Sequence, residues 1–200
     1  MSAAQPDFSP ANAARSPIRK PRVRREPTSE PWTEHLYLDD GRHLLLRPID
    51  PRDAEPIRQA FMLLSPEEVR LRFLHPMKEM SRDLVTRLTR IDPESEFALV
   101  MAEPLVPGEA LVGCVGRLSI DPATNKAEFA ILVSRFLINK GLGRLLMSQL
   151  IAWGKAHGLS EIYGDVLDEN SAMLALAESL GFTREMLPDD PGIVRVRLKL

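Results

Sequence analysis

The stretch "INKGLGRLLMSQLIAWGKAHG", residues 138–158, constrains the fold more than any other part of the chain. Leu142, Leu145, Leu146, Leu150 and Trp153 recur at the helical period, and Arg144, Gln149 and Lys155 supply much of the other face, which predicts an amphipathic helix. Gly141 and Gly143 stand where that helix must begin. Glycine is poor inside a helix, so one reading makes the pair a turn that lets the chain bend into it. The other makes it an anion site, in which backbone free of side chains presents N–H groups to a phosphate at the positive end of the helix dipole. Gly-x-Gly alone leaves both open.

What precedes and follows the helix narrows the fold class. Three strand candidates, "EFALVMAE", "EALVGCVGRLSI" and "KAEFAILVS", succeed one another with only turn residues between them, which predicts an antiparallel meander. Upstream, "EHLYL" and "HLLLRPI" flank the turn "DDGR" and read as a hairpin. Asp50 or Asp53 caps a helix through "AEPIRQAFMLL", Ser65-Pro66-Glu67-Glu68 opens a second through "VRLRF", and a third spans roughly 81–91. Downstream come a strand "EIYGDVL", a helix "NSAMLALAESLG" ending at Gly181, and the alternating strand "IVRVRLKL". The order describes an α/β (α+β) sandwich with an antiparallel N-terminal part, parallel central strands beside the glycine-led helix, and helices on both faces.

The chain has 200 residues, 44% of them hydrophobic, so one domain over residues 32–200 is expected. Residues 1–31 carry six prolines, few aliphatic side chains and no periodicity, and are expected to be disordered. Their "RKPRVRR" run makes them basic and leaves the remainder acidic, which argues against a nucleic-acid-binding domain and suits a basic substrate. With one cysteine, Cys114, no intramolecular disulfide can form. No apolar run reaches the length of a signal sequence or membrane span, so a cytoplasmic enzyme or binding protein is expected, with no membrane partner. His35, His43, His75 and His157 lack metal-ligand spacing, and no metal is assigned.

A three-strand meander, a Gly-x-Gly helix start, a strand, and Asn170 leading a helix that ends in Gly181-Phe182 together resemble the GNAT family of acetyl-coenzyme A-dependent N-acetyltransferases, over residues 35–200. The family signature Gln/Arg-x-x-Gly-x-Gly/Ala corresponds to Ile138 through Gly143, with both glycines matched and the first position departing. Within the family, "LRPIDPRDAEPIRQAF", "LSPEEVRLRFLHP", "AEFAILV" and "ENSAMLALAESLGF" resemble the acetyltransferase domain of bacterial Pat-type protein lysine acetyltransferases.

That resemblance implies acetyl-CoA as co-substrate and assigns roles. The backbone of Ile131, Leu132 and Val133 would hold pantetheine where two neighbouring strands splay apart. Asn139, Lys140, Gly141, Leu142, Gly143 and Arg144 would meet the pyrophosphate, and Asn170 would contact the cofactor or simply cap its helix. An acceptor lysine is mostly protonated at pH 7, with about one in 10³ neutral, so the reaction needs a base. Strand alternation puts Glu128, Ala130 and Leu132 on one face, and Glu128 matches the catalytic glutamate of Pat-like enzymes; a solvated residue at a strand entrance is its bland reading. Many GNAT enzymes carry a tyrosine acid seven residues after the asparagine, where this chain has Ala177. Arg70, Arg72 and His75 lie in a segment that faces substrate in related folds, although a solvated helix face explains the arginines equally. Cys114 reads as packed rather than nucleophilic. The expected acceptor is a protein lysine. A small amine and a non-catalytic acyl-CoA sensor are the rivals, and a homodimer is compatible with all three.

Overall fold

A computed structural model of the chain describes residues 23–200 as one nine-stranded sheet with helices on both faces. The strands are β1 (Arg24–Pro27), β2 (Glu34–Tyr37), β3 (His43–Pro48), β4 (Glu96–Ala102), β5 (Val112–Asp121), β6 (Lys126–Val133), β7 (Glu161–Leu167), β8 (Thr183–Met186) and β9 (Ile193–Lys199). They lie in the order β1-β2-β3-β4-β5-β6-β7-β9-β8. Every pairing is antiparallel except β6 with β7. The expected mixed sheet is present, and its parallel part consists of that one pair.

Helix α4 (Leu142–Ala156) crosses one face. It buries Leu142, Leu146, Met147, Leu150 and Trp153 against Leu118, Phe129, Ile131 and the inner leucines of β2–β4. Leu146 sits over Gly116, where a Cβ would come within 2.7 Å of its Cγ, so the glycine is what lets the helix approach β5. Helix α5 (Ser171–Ser179) adds Leu174 and Ala177 to the same core. The other face carries α1 (Ala54–Met62), α2 (Pro66–Phe73) and α3 (Arg82–Thr89), packed through Phe61, Val69 and Val85, while Ala98, Val100 and Val112 form a smaller cluster with Ile57 and Ile91.

The capping ambiguity resolves between two aspartates. Asp50 caps the 3-10 turn Pro51–Asp53. Asp53, fully buried, leaves its helix uncapped by its side chain and makes a bidentate pair with Arg47 at 2.7 Å instead. Ser65 closes a capping box with Glu68, so the short, polar α2 starts where the sequence puts it.

Two strands were not expected. The predicted disordered segment extends to residue 31, but Arg24–Pro27 pairs with β2, and Arg25 forks onto the buried Glu34 carboxylate at 2.7 Å through both oxygens. The domain therefore begins before residue 32. The earlier part of that segment, with much of the basic run, lies outside the described residues. Strand β8 pairs with β9 although all four of its residues are exposed. No helix among the described residues is long and apolar enough to cross a membrane.

Candidate functional site

The parallel ladder between β6 and β7 has only three rungs, Lys126 with Glu161, Ala127 with Ile162 and Glu128 with Tyr163. Beyond Glu128 the two strands run on to Val133 and Leu167 without pairing, so they diverge from a vertex at Glu128 and leave one backbone edge of residues 129–133 without a ladder partner. On its other edge β6 remains paired to β5 through Val133, and β7 remains paired to β9 through Leu167. Phe129 packs over Gly164 at the divergence, where a Cβ would meet the ring at 2.6 Å.

The divergence opens a cleft of about 820 Å³. Glu128 and residues 129–133 form its floor. One wall comes from α2, and the other from Asp165, Asn170 and the first turns of α5. The glycine loop closes its mouth. Of the residues assigned to catalysis or cofactor binding in the sequence, the cleft gathers Glu128, Ile131, Leu132, Val133, Asn139, Gly141, Leu142, Gly143, Arg144 and Asn170. Lys140 is the exception. Its ammonium is bound to Asp39 at 3.2 Å and Asp40 at 3.0 Å in the β2–β3 turn, away from the cleft lining.

The loop answers why glycine precedes the helix. Gly141 has φ +77° and Asn139 φ +61°, so two left-handed residues curl the backbone immediately before α4. Leu145 is the first amide bonded back to the helix, at the Gly141 carbonyl, and the preceding N–H groups of the first turn have no intrahelical acceptor. Gly143 has a different reason. An added Cβ would lie 3.5 Å from Leu176 and 3.6 Å from Val133, between α5 and β6, so a larger side chain would fill the cleft. Arg144 is held by the Ser179 hydroxyl at 2.6 Å and carbonyl at 3.1 Å. Asn170 accepts a hydrogen bond from the Met173 amide at 3.1 Å, as a cap does, which leaves its carboxamide nitrogen for a ligand.

Glu128 is exposed to the cleft. Partial loss of hydration and the neighbouring Asp165 carboxylate push its pKa above the usual glutamate value, against the pull of Arg195 and Arg72. Asp165 is itself forked onto Arg195 at 2.7 Å through both oxygens, so the one carboxylate at the vertex without an ion-pair partner among the described residues is Glu128. Cys114 is buried and its thiol is pushed up to about 12 by desolvation, which makes it inert. Ala177 is fully buried on the inner face of α5, and it offers no acid. His75 is exposed and outside the cleft lining. Arg72 and Asp165 line the cleft beside Glu128. The sequence does not single out Asp165 at all and treats Arg72 no differently from Arg70. Strand alternation offers one signal, because Asp165 lies two residues beyond Tyr163, the rung partner of Glu128, and so shares its face.

A cleft between splayed strands, with exposed main chain on its floor and unpaired helix amides at its mouth, fits an elongated ligand bearing amides and phosphates. Comparison with known proteins agrees. The profile for the acetyltransferase (GNAT) domain matches residues 43–183. The chain is 34% identical over 169 residues to acetyltransferase PA5475 of Pseudomonas aeruginosa, covering 84% of this chain and 89% of that protein. Its fold is similar to the GNAT domain of S. lividans PAT, with a TM-score of 0.73, 25% identity, and coverage of 84% of this chain and 97% of that one. It also resembles the fold of spermidine N-acetyltransferase from Vibrio cholerae, solved with CoA and spermine, at a TM-score of 0.62 and 22% identity, covering 78% and 95%. The chain belongs to the GNAT acetyltransferase family and is an acetyl-CoA-dependent N-acetyltransferase.

Proposed function

We propose that this chain acetylates the side-chain amine of protein lysines by direct transfer, with Glu128 as the general base. The observation that carries the reading is the vertex of the splayed strands, where an acidic group of raised pKa meets the floor of the cleft. Acetyl-CoA supplies the thioester carbonyl. The amide edge of Ile131, Leu132 and Val133 would align the pantetheine arm, and a main-chain N–H there would face the oxygen on which negative charge develops. The loop and first-turn amides from Asn139 to Arg144 and the Arg144 guanidinium would receive the pyrophosphate.

Glu128 then answers the amine's protonation. Keeping a lysine neutral at pH 7 costs about 4–5 kcal/mol against a pKa near 10.4, and a carboxylate beside the amine takes the proton as the new N–C bond forms. A glutamate pKa raised above its usual value by partial desolvation and the Asp165 carboxylate makes a stronger base. With Ala177 in place of a tyrosine, the thiolate leaves without a dedicated acid, which its pKa near 8.5 permits. The similarity to the PAT domain, with the Pat-type motifs of the sequence, favours a protein lysine over a small amine.

The test is release of CoA thiol from acetyl-CoA in the presence of lysine peptides, whole proteins, polyamines and free amino acids. The reading expects turnover with lysine in a polypeptide. Turnover confined to small amines would overturn the protein substrate, and none with any amine would overturn the catalytic reading.

A further inference from the structure

The arginines around the cleft have different partners. Arg70 pairs with Glu67 at 3.1 Å and with Glu169 in the turn before α5, and Arg117 pairs with Glu96 at 3.2 Å. Arg135 reaches Glu68 at 3.8 Å, and Arg195 forks onto Asp165 at 2.7 Å. Two guanidinium groups in the cleft lining have no carboxylate among the described residues. Arg144, at the glycine-loop end, is held by Ser179. Arg72, at the Glu128 end, has neither an ion pair nor a side-chain hydrogen bond with any described residue, and its guanidinium lies over the Phe73 ring, 4.9 Å from the centroid.

Arg72 is half-buried on α2 and lines the cleft with Glu128. Desolvation pushes its pKa down to about 10, and Arg117 adds repulsion that Glu128 only partly offsets. A cation withdrawn from water without a partner is unfavourable, and proteins ordinarily relieve it with a carboxylate. Its neighbours each have one from the protein. Glu128 cannot serve as a standing partner while it also accepts the amine proton. An anion arriving with the acceptor would meet that need, and a planar guanidinium recognises a carboxylate through two parallel hydrogen bonds.

We propose that Arg72 is a specificity residue that binds a carboxylate carried by the acceptor, close to the amine that Glu128 deprotonates. The inference rests on the acyl-transfer reading of the cleft and adds the chemical class of the acceptor: a lysine with an acidic group beside it. That group is either the side chain of a flanking Asp or Glu or the α-carboxylate of the lysine itself. A polyamine, with cations in place of the carboxylate, is disfavoured by the same charge.

The test compares ratios of kcat/KM within matched pairs. Two blocked peptides differ only in having Glu or Gln on either side of a single lysine. A second pair, Nα-acetyl-lysine and its amide, isolates the α-carboxylate, and a third sets L-lysine against cadaverine. The wild-type protein is expected to favour the carboxylate member of at least one pair tenfold or more, about 1.4 kcal/mol. Arg72→Gln should bring that ratio to about 1, with Arg72→Lys in between because it keeps charge and loses the fork. The pair that responds identifies the source of the carboxylate. A ratio near 1 in the wild type, or one unmoved by Arg72→Gln, overturns the inference. A structural role, or one exercised through Glu128, lowers both members together and leaves the ratio where it was. If the peptides are inert while L-lysine is preferred to cadaverine and Arg72→Gln abolishes that preference, the protein-substrate reading fails and the role of Arg72 stands. If no acceptor is turned over, both fail.

Discussion

Glu128 and Tyr163 face each other in the last parallel rung between β6 and β7, and the cleft begins one residue further on. The divergence is maintained by Phe129 lying over Gly164, next in sequence to those two residues, with no room for a methyl group between them. Gly164→Ala should therefore destabilise the protein by about 1–3 kcal/mol through overpacking. It should also weaken acetyl-CoA binding, because the vertex must shift to admit the Cβ. Chemical denaturation with calorimetric titration of acetyl-CoA measures both.

At the cleft mouth the two glycines separate into different experiments. Gly143→Leu directs its side chain between Val133 and Leu176, and the acetyl-CoA dissociation constant should rise at least tenfold, about 1.4 kcal/mol. Gly141→Ala meets no atom within 4 Å, and its effect should come from the left-handed backbone, about 1–2 kcal/mol of stability. Equal effects of both substitutions on affinity, with stability unchanged, would contradict this division.

Much of this architecture was legible because its signals are local. The apolar period of 142–153, the turn-separated strands of the meander, and the glycines at 141 and 143 each specify their element within a few residues. The alternation of β6 put Glu128 and Ala130 on one face without reference to the rest of the chain. Strand β1 was not legible. "RREP" is polar throughout and ends in proline, and it is held by ladder bonds and by the Arg25 fork onto Glu34, which depend on chain returning from elsewhere. Strand β8, "TREM", has no buried position to produce an alternating pattern. Arg70 and Arg72 differ in kind for the same reason: Arg70 meets Glu169 from the β7–α5 turn, a contact no spacing within α2 reveals. Lys140 turned away from the cleft because Asp39 and Asp40, a hundred residues earlier, stand beside it.

Buried charge in the frame makes a strong stability prediction. Asp53 is fully buried, forks onto Arg47, and also accepts the Asp50 amide at 2.9 Å. Asp53→Ala strands a buried guanidinium and should cost about 3–5 kcal/mol, read as a lowered denaturation midpoint with unchanged slope.

The ordered first strand makes another. Glu34 is buried and held by Arg25 at 2.7 Å and Gln149 at 2.8 Å, which ties β1 and α4 to one carboxylate. Arg25→Ala removes the only cation from that pair and should cost about 1–3 kcal/mol. A deletion extending through residue 31 should cost at least as much, since it also uncovers the edge of β2. An unchanged melting temperature for both variants would show that β1 contributes nothing to the fold.

The proposal that Glu128 is the base is tested most directly by Glu128→Gln, with turnover and acetyl-CoA affinity measured in parallel across pH. In the wild type, kcat/KM should fall as pH is lowered through the Glu128 pKa, at a higher pH than an ordinary glutamate would give, because partial desolvation and Asp165 disfavour its ionised form. The amide cannot accept the proton, so kcat should drop by about 10² or more, the acid limb should vanish, and acetyl-CoA affinity should stay within a few-fold. Near-normal turnover of Glu128→Gln at pH 7, with the acid limb intact, would assign proton removal elsewhere and contradict the account.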